Sequence, residues 1–109
     1  MLRINKEKFE IYDSDVLNFD QHVQPILDRM TEDLKEAEDD LLPEHKPGRD
    51  RFYAYELTDE DKLSILRVII LEYEWALSKG DYNTSIFDED GIEYAIKDWG
   101  EERFGFIWD

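Results

Sequence analysis

The most constraining feature of the sequence is a long, mainly apolar segment with a well-marked start. Thr58 precedes three acids at positions 59–61, and a hydroxyl cap followed by carboxylates is typical of a helix N-terminus. The pattern continues to Lys79, just before Gly80, so we expect a helix over residues 59–79. Its apolar residues surround nearly the whole circumference: Leu63, Ile65, Leu66, Val68, Ile69, Ile70, Leu71, Tyr73, Trp75 and Leu77. Such a helix is expected at the centre of the fold.

The composition favours one folded, acidic domain. The 109 residues suit a single core, so we expect residues 1–109 to form one globular domain. The chain carries 29 Asp and Glu against 13 Lys and Arg, and a net charge of −16 by itself leans toward disorder. Aromatic residues make up 14% of the chain, however, and they supply the large buried areas that disordered segments lack.

A second helix is predicted ahead of this central one. Its apolar residues recur every three or four positions: Val23, Ile26, Leu27, Met30, Leu34, Ala37 and Leu41. Pro25 is tolerated only in a first helical turn, which places the predicted cap between Asp20 and Gln24. The helix is expected to end near Leu42, and residues 43–50 (PEHKPGRD) are typical of an exposed loop.

Short strands are predicted around the helices. Leu2 and Ile4 alternate, as do Phe9 and Ile11, but the parity changes in between, which indicates a turn or bulge. A strand is predicted over residues 52–57 (FYAYEL), and alternating aromatics predict a C-terminal strand: Phe104, Phe106 and Trp108.

A third helix is expected after a connector at residues 81–87. Asp88 would cap it and Gly100 would end it, with an inward face of Ile92, Ala95, Ile96 and Trp99. The predicted order is β, α, β, α, α, β. This order favours an α+β fold, with a small sheet of about three to four short strands and three helices packed mainly on one face.

No residue pattern indicates catalysis, a cofactor or a metal. The chain has no cysteine, and His22 and His45 lack an organised nucleophile or acid partner, so we expect surface or capping roles for both and no enzymatic activity. The string DEDG at 88–91 resembles part of a calcium loop, but its register would put Ile86 at the first ligand position and Lys97 at the last. Helix capping explains these acids better.

The apolar segments also bear on location. No apolar stretch follows the basic residues near position 1, and the longest strictly apolar run is residues 68–71. We therefore expect neither a signal peptide nor a membrane span, and a cytoplasmic protein, in the host cytoplasm if a phage encodes it. The negative charge would repel nucleic acid and anionic lipid and attract a basic protein surface.

The negative charges concentrate in two groups. On the first helix, four acids lie opposite the apolar stripe and span about 16 Å: Asp28, Glu32, Glu36 and Asp39. Asp40 extends this group at the helix end. The second group is Asp88, Glu89, Asp90, Glu101 and Glu102. The sequence does not fix where one group lies relative to the other.

These charges predict a binding function. Solubility needs a net charge of only about 2 to 8 in magnitude, so −16 favours selection for a basic partner. We expect an acidic inhibitor of the basic nucleic-acid-binding or catalytic cleft of a nuclease or DNA-binding protein. It could be a DNA-mimicking phage decoy against restriction or CRISPR enzymes, or an immunity protein against a nuclease toxin. The alternative is an adaptor that binds a protein through exposed aromatics, at Phe104, Phe106 and Trp108 or at Tyr53 and Tyr55. The sequence leaves the oligomeric state open.

Overall fold

The computed structural model describes residues 2–12, 15–38, 56–80 and 85–105. Within these ranges the chain forms three strands, β1 (Arg3–Asn5), β2 (Glu10–Tyr12) and β3 (Val16–Asn18), and then a π-helical turn, Phe19–Val23. Three α-helices follow: α1 (Gln24–Glu38), α2 (Asp59–Ser78) and α3 (Glu89–Phe104). The predicted α+β class with a small sheet and three helices is confirmed.

The sheet is an antiparallel meander in the order β1-β2-β3. Ile11 on β2 lies opposite Ile4 on one side and Leu17 on the other, so these three side chains share one face. Ile11 and Leu17 are fully buried. The Asn5 side chain accepts hydrogen bonds from the N–H groups of Glu7 and Lys8, which turns the chain between β1 and β2. The predicted turn is confirmed.

Strand β3 was not predicted, and the helical segment that follows it begins earlier than expected. The side chain of Asn18 accepts a hydrogen bond from the N–H of Gln21 at 3.0 Å, so Asn18 is the cap and the predicted window of 20–24 is wrong. The Gln24 N–H bonds to the Phe19 carbonyl, five residues back, in a π-helical turn. Pro25 then lies in the first turn of α1, as expected.

Helix α1 packs its predicted apolar face into the core. The buried residues of this face are Val23, Ile26, Leu27, Met30 and Leu34. The predicted helix end near Leu42 and the loop at 43–50 lie outside the described residues, as does His45.

Helix α2 begins and ends close to the predicted positions. Thr58 and Asp61 form a reciprocal capping box, in which the Asp61 N–H donates to the Thr58 hydroxyl at 3.2 Å and the Thr58 N–H donates to the Asp61 carboxylate at 3.1 Å. The helix is not covered on all sides, however. Ile65, Leu66 and Ile69 are buried, whereas the C-terminal half exposes several of its large apolar side chains.

Helix α3 is longer than predicted. Its inward residues Ile92, Ala95, Ile96 and Trp99 are buried as expected, but the helix continues past Gly100 to Phe104 and ends at Gly105, whose φ is 81°. The predicted strand therefore cannot begin at Phe104. This side chain is helical, only 8% exposed, and packs edge-on against Trp99 with 5.6 Å between ring centroids.

The order of elements also differs from the predicted alternation, because in the described residues the strands precede all three helices. Of the strand predicted over residues 52–57, residues 52–55 lie outside the described residues. The other two, Glu56 and Leu57, have no regular secondary structure. Helices α2 and α3 run antiparallel: Arg103 near the end of α3 contacts Asp61 near the start of α2.

Candidate functional site: an acidic face and an adjoining groove

The acids of α1 lie on the outside of the fold. Asp28, Glu32 and Glu36 are exposed, while the core residues lie on the other side of the helix. Asp28 accepts a hydrogen bond from the Gln24 side chain at 2.9 Å. Asp39 and Asp40 lie outside the described residues. Three carboxylates of the predicted stripe therefore face solvent over about 12 Å of helix.

An arginine determines how the two acidic groups lie relative to each other. The Arg29 guanidinium on α1 contacts Glu89 at 2.9 Å and also binds Glu93, both on α3. Glu36 follows Arg29 by seven residues, so it lies two turns along on the same side of α1. These contacts place the first turn of α3 beside the acidic side of α1. We call the combined surface the acidic face: Asp28, Glu32, Glu36, Asp88, Glu89 and Asp90.

The acids at the start of α3 are exposed. Asp88 holds the N-cap position, as predicted, yet its side chain makes no capping hydrogen bond. Asp88, Glu89 and Asp90 all lie near the positive end of the helix dipole, which stabilises them there. Glu89 pairs with Arg29, whereas the carboxylates of Asp88 and Asp90 are exposed and accessible to a cationic group of a partner.

The acids of the second predicted group, Asp88, Glu89, Asp90, Glu101 and Glu102, lie at opposite ends of α3. Glu101 and Glu102 are exposed but follow Glu89 by at least twelve residues, which corresponds to about 18 Å along α3. They lie at the end where Arg103 contacts Asp61 at 3.6 Å. Glu101 and Glu102 are therefore separate from the acidic face, although they were expected to form one group with Asp88, Glu89 and Asp90.

The side chain of His22 is half-buried and packs against neighbouring parts of the fold. Its Nδ1 lies 2.9 Å from the backbone nitrogen of Asn18, which caps the same π-helical turn. Its ring meets Phe87 edge-on, with 5.2 Å between centroids. These contacts agree with the expected capping role.

A groove that was not predicted lies between α2 and α3. Leu71, Trp75 and Tyr94 are 63%, 61% and 64% exposed, and with Glu72 and Asp98 they line an open cavity of about 780 Å³. We call these five residues the groove. The sequence did contain a signal for this groove, since α2 is apolar on all sides. The core of a chain of 109 residues does not cover every side of a twenty-residue helix, so part of its apolar surface was to be expected at the exterior.

The groove adjoins the acidic face through a smaller cavity of about 300 Å³. Trp75 and Tyr94 line both cavities. The smaller cavity has Ile69, Ile86 and Ile92 among its apolar residues, and Asp88 and Asp90 also line it. A ligand that contacts Asp88 or Asp90 can therefore extend onto exposed aromatic surface.

Two carboxyl groups face each other across the groove. A hydrogen bond to Asp98, partial burial and the negative charge of Asp98 together raise the pKa of Glu72 from 4.5 to about 7. At neutral pH Glu72 is therefore protonated for part of the time. Nearby cations contact the rings: the Lys79 ammonium lies 5.4 Å from the Trp75 centroid, and that of Lys97 lies 6.0 Å from the Tyr94 centroid.

Comparisons with known proteins assign no family. No family model matches the chain, and neither a curated protein nor a solved structure matches it significantly. In the described part of the chain, no helix is both long enough and apolar enough to cross a membrane, and no three His, Cys, Asp or Glu side chains are grouped to hold a metal ion.

Proposed function

We propose that this protein is an acidic inhibitor that binds the basic nucleic-acid-binding or catalytic cleft of a nuclease or DNA-binding protein. The observation that carries the proposal is the pairing of Arg29 with Glu89 and Glu93, which sets the exposed carboxylates of α1 beside those at the start of α3. Two neighbouring rows of negative charge present a broader target to a cationic cleft than one helix stripe does.

The whole-chain charge supports the same function. A net charge of −16 makes the folded protein repel itself, and it exceeds what solubility requires. It also speeds encounter with a basic partner, since opposite potentials steer the two proteins together. A phage decoy against restriction or CRISPR enzymes and an immunity protein against a nuclease toxin would both use these properties.

A second mode of binding, through exposed aromatics, is supported at a different place from the one predicted. Phe104 is buried, and Tyr53, Tyr55, Phe106 and Trp108 lie outside the described residues. Among the described aromatics, Trp75 and Tyr94 are the most exposed, and they adjoin Asp88 and Asp90. Electrostatic and aromatic contacts therefore belong to one continuous surface, so a partner could use both.

The test is capture of the partner in competition with nucleic acid. The immobilised protein is exposed to lysate of cells that contain the candidate nucleases, and bound proteins are eluted by rising salt or by duplex DNA. We expect a basic nuclease or DNA-binding protein that both reagents release, because mimicry places the two ligands in one cleft and salt screens the attraction. A partner that duplex DNA leaves in place would contradict the proposal, as would binding of this protein itself to DNA.

A further inference from the structure

We propose that the groove between α2 and α3 receives an arginine side chain of the basic partner, with the guanidinium between Glu72 and Asp98 and against the Trp75 and Tyr94 rings. This inference rests on the proposed function and names the contact that would anchor the partner. It explains why a large apolar surface lies exposed next to an acidic face.

The chemistry of the groove selects the occupant. Two hydrogen-bonded carboxyl groups repel each other when both are ionised, and here the raised pKa of Glu72 favours a proton on Glu72, which relieves that repulsion. A guanidinium can take the place of the proton, since it carries a positive charge and presents several N–H donors to carboxylate oxygens. Its planar faces also pack on aromatic rings, and its aliphatic stem can cover Leu71.

Other occupants fit less well. A second copy of the chain would bring another net charge of −16 against a groove that already holds two carboxyl groups. Nucleic acid would bring phosphates to the same groups. A purely apolar segment would have to bury the negative charge that the Glu72–Asp98 pair still carries, without a cation to balance it, which is costly. Charge complementarity therefore favours a cationic side chain.

Binding should be linked to pH. If the guanidinium takes the place of the proton on Glu72, the proton and the arginine compete for the same carboxylate. The affinity for arginine therefore rises with pH as Glu72 titrates near pH 7. The other charged groups near the site are Asp88 and Asp90 on the cavity, Lys79 beside Trp75 and Lys97 beside Tyr94. We assign the pH dependence to Glu72, and the variant Glu72→Gln distinguishes its titration from that of these neighbours.

The test uses the full chain and a capped peptide with one arginine between two leucines. Titration followed by NMR should shift the Trp75 indole and the Tyr94 ring, with binding about tenfold tighter at pH 8 than at pH 6. The same peptide with citrulline, which keeps the shape without the charge, should bind much more weakly. Glu72→Gln should weaken arginine binding and remove most of the pH dependence, whereas the exposed neighbour Glu74→Gln should do neither.

Several results would overturn the inference. The first two are equal binding of the arginine and citrulline peptides and NMR shifts confined to residues outside the groove. The others are a pH dependence that Glu72→Gln does not change and a dimer of this chain that Trp75→Ala dissociates. The groove and the proposed function can fail separately. If the peptide binds but duplex DNA does not release the captured partner, the proposed function is wrong and the groove is still an arginine-binding site. If the partner is released by DNA but the peptide does not bind, only this inference is wrong.

Discussion

Glu72 on α2 is hydrogen-bonded to Asp98 on α3 in an exposed groove, and this contact, with partial burial, raises the pKa of Glu72 to about 7. The folded state therefore retains a proton that the unfolded chain releases near pH 4.5. The free energy of unfolding due to this pair is unaffected below about pH 4.5, falls as the pH rises from there to about 7, and stays reduced above it.

Replacing Glu72 with glutamine should remove this dependence. The new amide would keep a donor toward Asp98 and carry no charge, so we expect Glu72→Gln to raise the free energy of unfolding by about 1 kcal/mol at pH 8, after allowance for solvent screening. At pH 4.5 the two proteins should be equally stable. Urea unfolding across this pH range measures the difference. Glu74→Gln makes the same charge change on an exposed residue and should show no such pH profile; identical profiles for the two variants would refute the coupling.

Arg29 should contribute to stability through charge. Arg29→Ala leaves Glu89 and Glu93 without their shared cation, so we expect a loss of about 0.5 to 1 kcal/mol at low salt that shrinks as salt is added. Arg67 on α2 is an exposed arginine, and Arg67→Ala provides a control with the same change in net charge. Chemical denaturation at two salt concentrations compares them. Equal losses in both variants would mean that the ion pairs of Arg29 do not matter.

Two leucines should respond very differently to truncation. Leu17 on β3 is fully buried, so Leu17→Ala should cost about 2 to 5 kcal/mol by loss of apolar burial and creation of a cavity. Leu71 in the groove is 63% exposed, and Leu71→Ala should change stability by no more than about 0.5 kcal/mol. Thermal melting of the two variants measures this contrast. Similar losses would mean either that β3 does not close the core or that something covers the groove.

The helices were largely predictable because their signals are periodic and extend over many residues. The start of α2 was predicted from Thr58 and the acids after it, and the structure adds the capping box with Asp61. The inward faces of α1 and α3 follow from three- and four-residue spacing. The end of α3 was not predictable from Gly100, because Phe104 packs on Trp99 and Arg103 pairs with Asp61, and these tertiary contacts outweigh the weak helix propensity of glycine.

The strands and the candidate site were harder to predict, because they depend on short segments and on contacts between residues far apart in the sequence. Strand β3 has only three residues, although Leu17 and Phe19 alternate in the same parity as Phe9 and Ile11. The relation between the acids of α1 and α3 required the contact of Arg29 with Glu89, which joins residues sixty positions apart. The groove required knowing which side of α2 the core leaves uncovered.

The most direct test of the central claim is the affinity for the captured basic partner after charge reversal on α1. The variant Asp28→Lys, Glu32→Lys and Glu36→Lys changes the net charge from −16 to −10, since each reversal adds two positive charges. A matched control reverses three exposed acids elsewhere: Glu7, Asp15 and Glu56. Circular dichroism should show both variants folded, because all six side chains are exposed.

We expect the α1 variant to lose at least about a hundredfold in affinity at physiological salt, and the control to lose about tenfold or less through the weaker long-range attraction. The loss in the α1 variant should diminish as salt is raised. Unchanged affinity in a folded α1 variant, or equal losses in the two variants, would contradict the assignment of the acidic face as the surface that binds the partner.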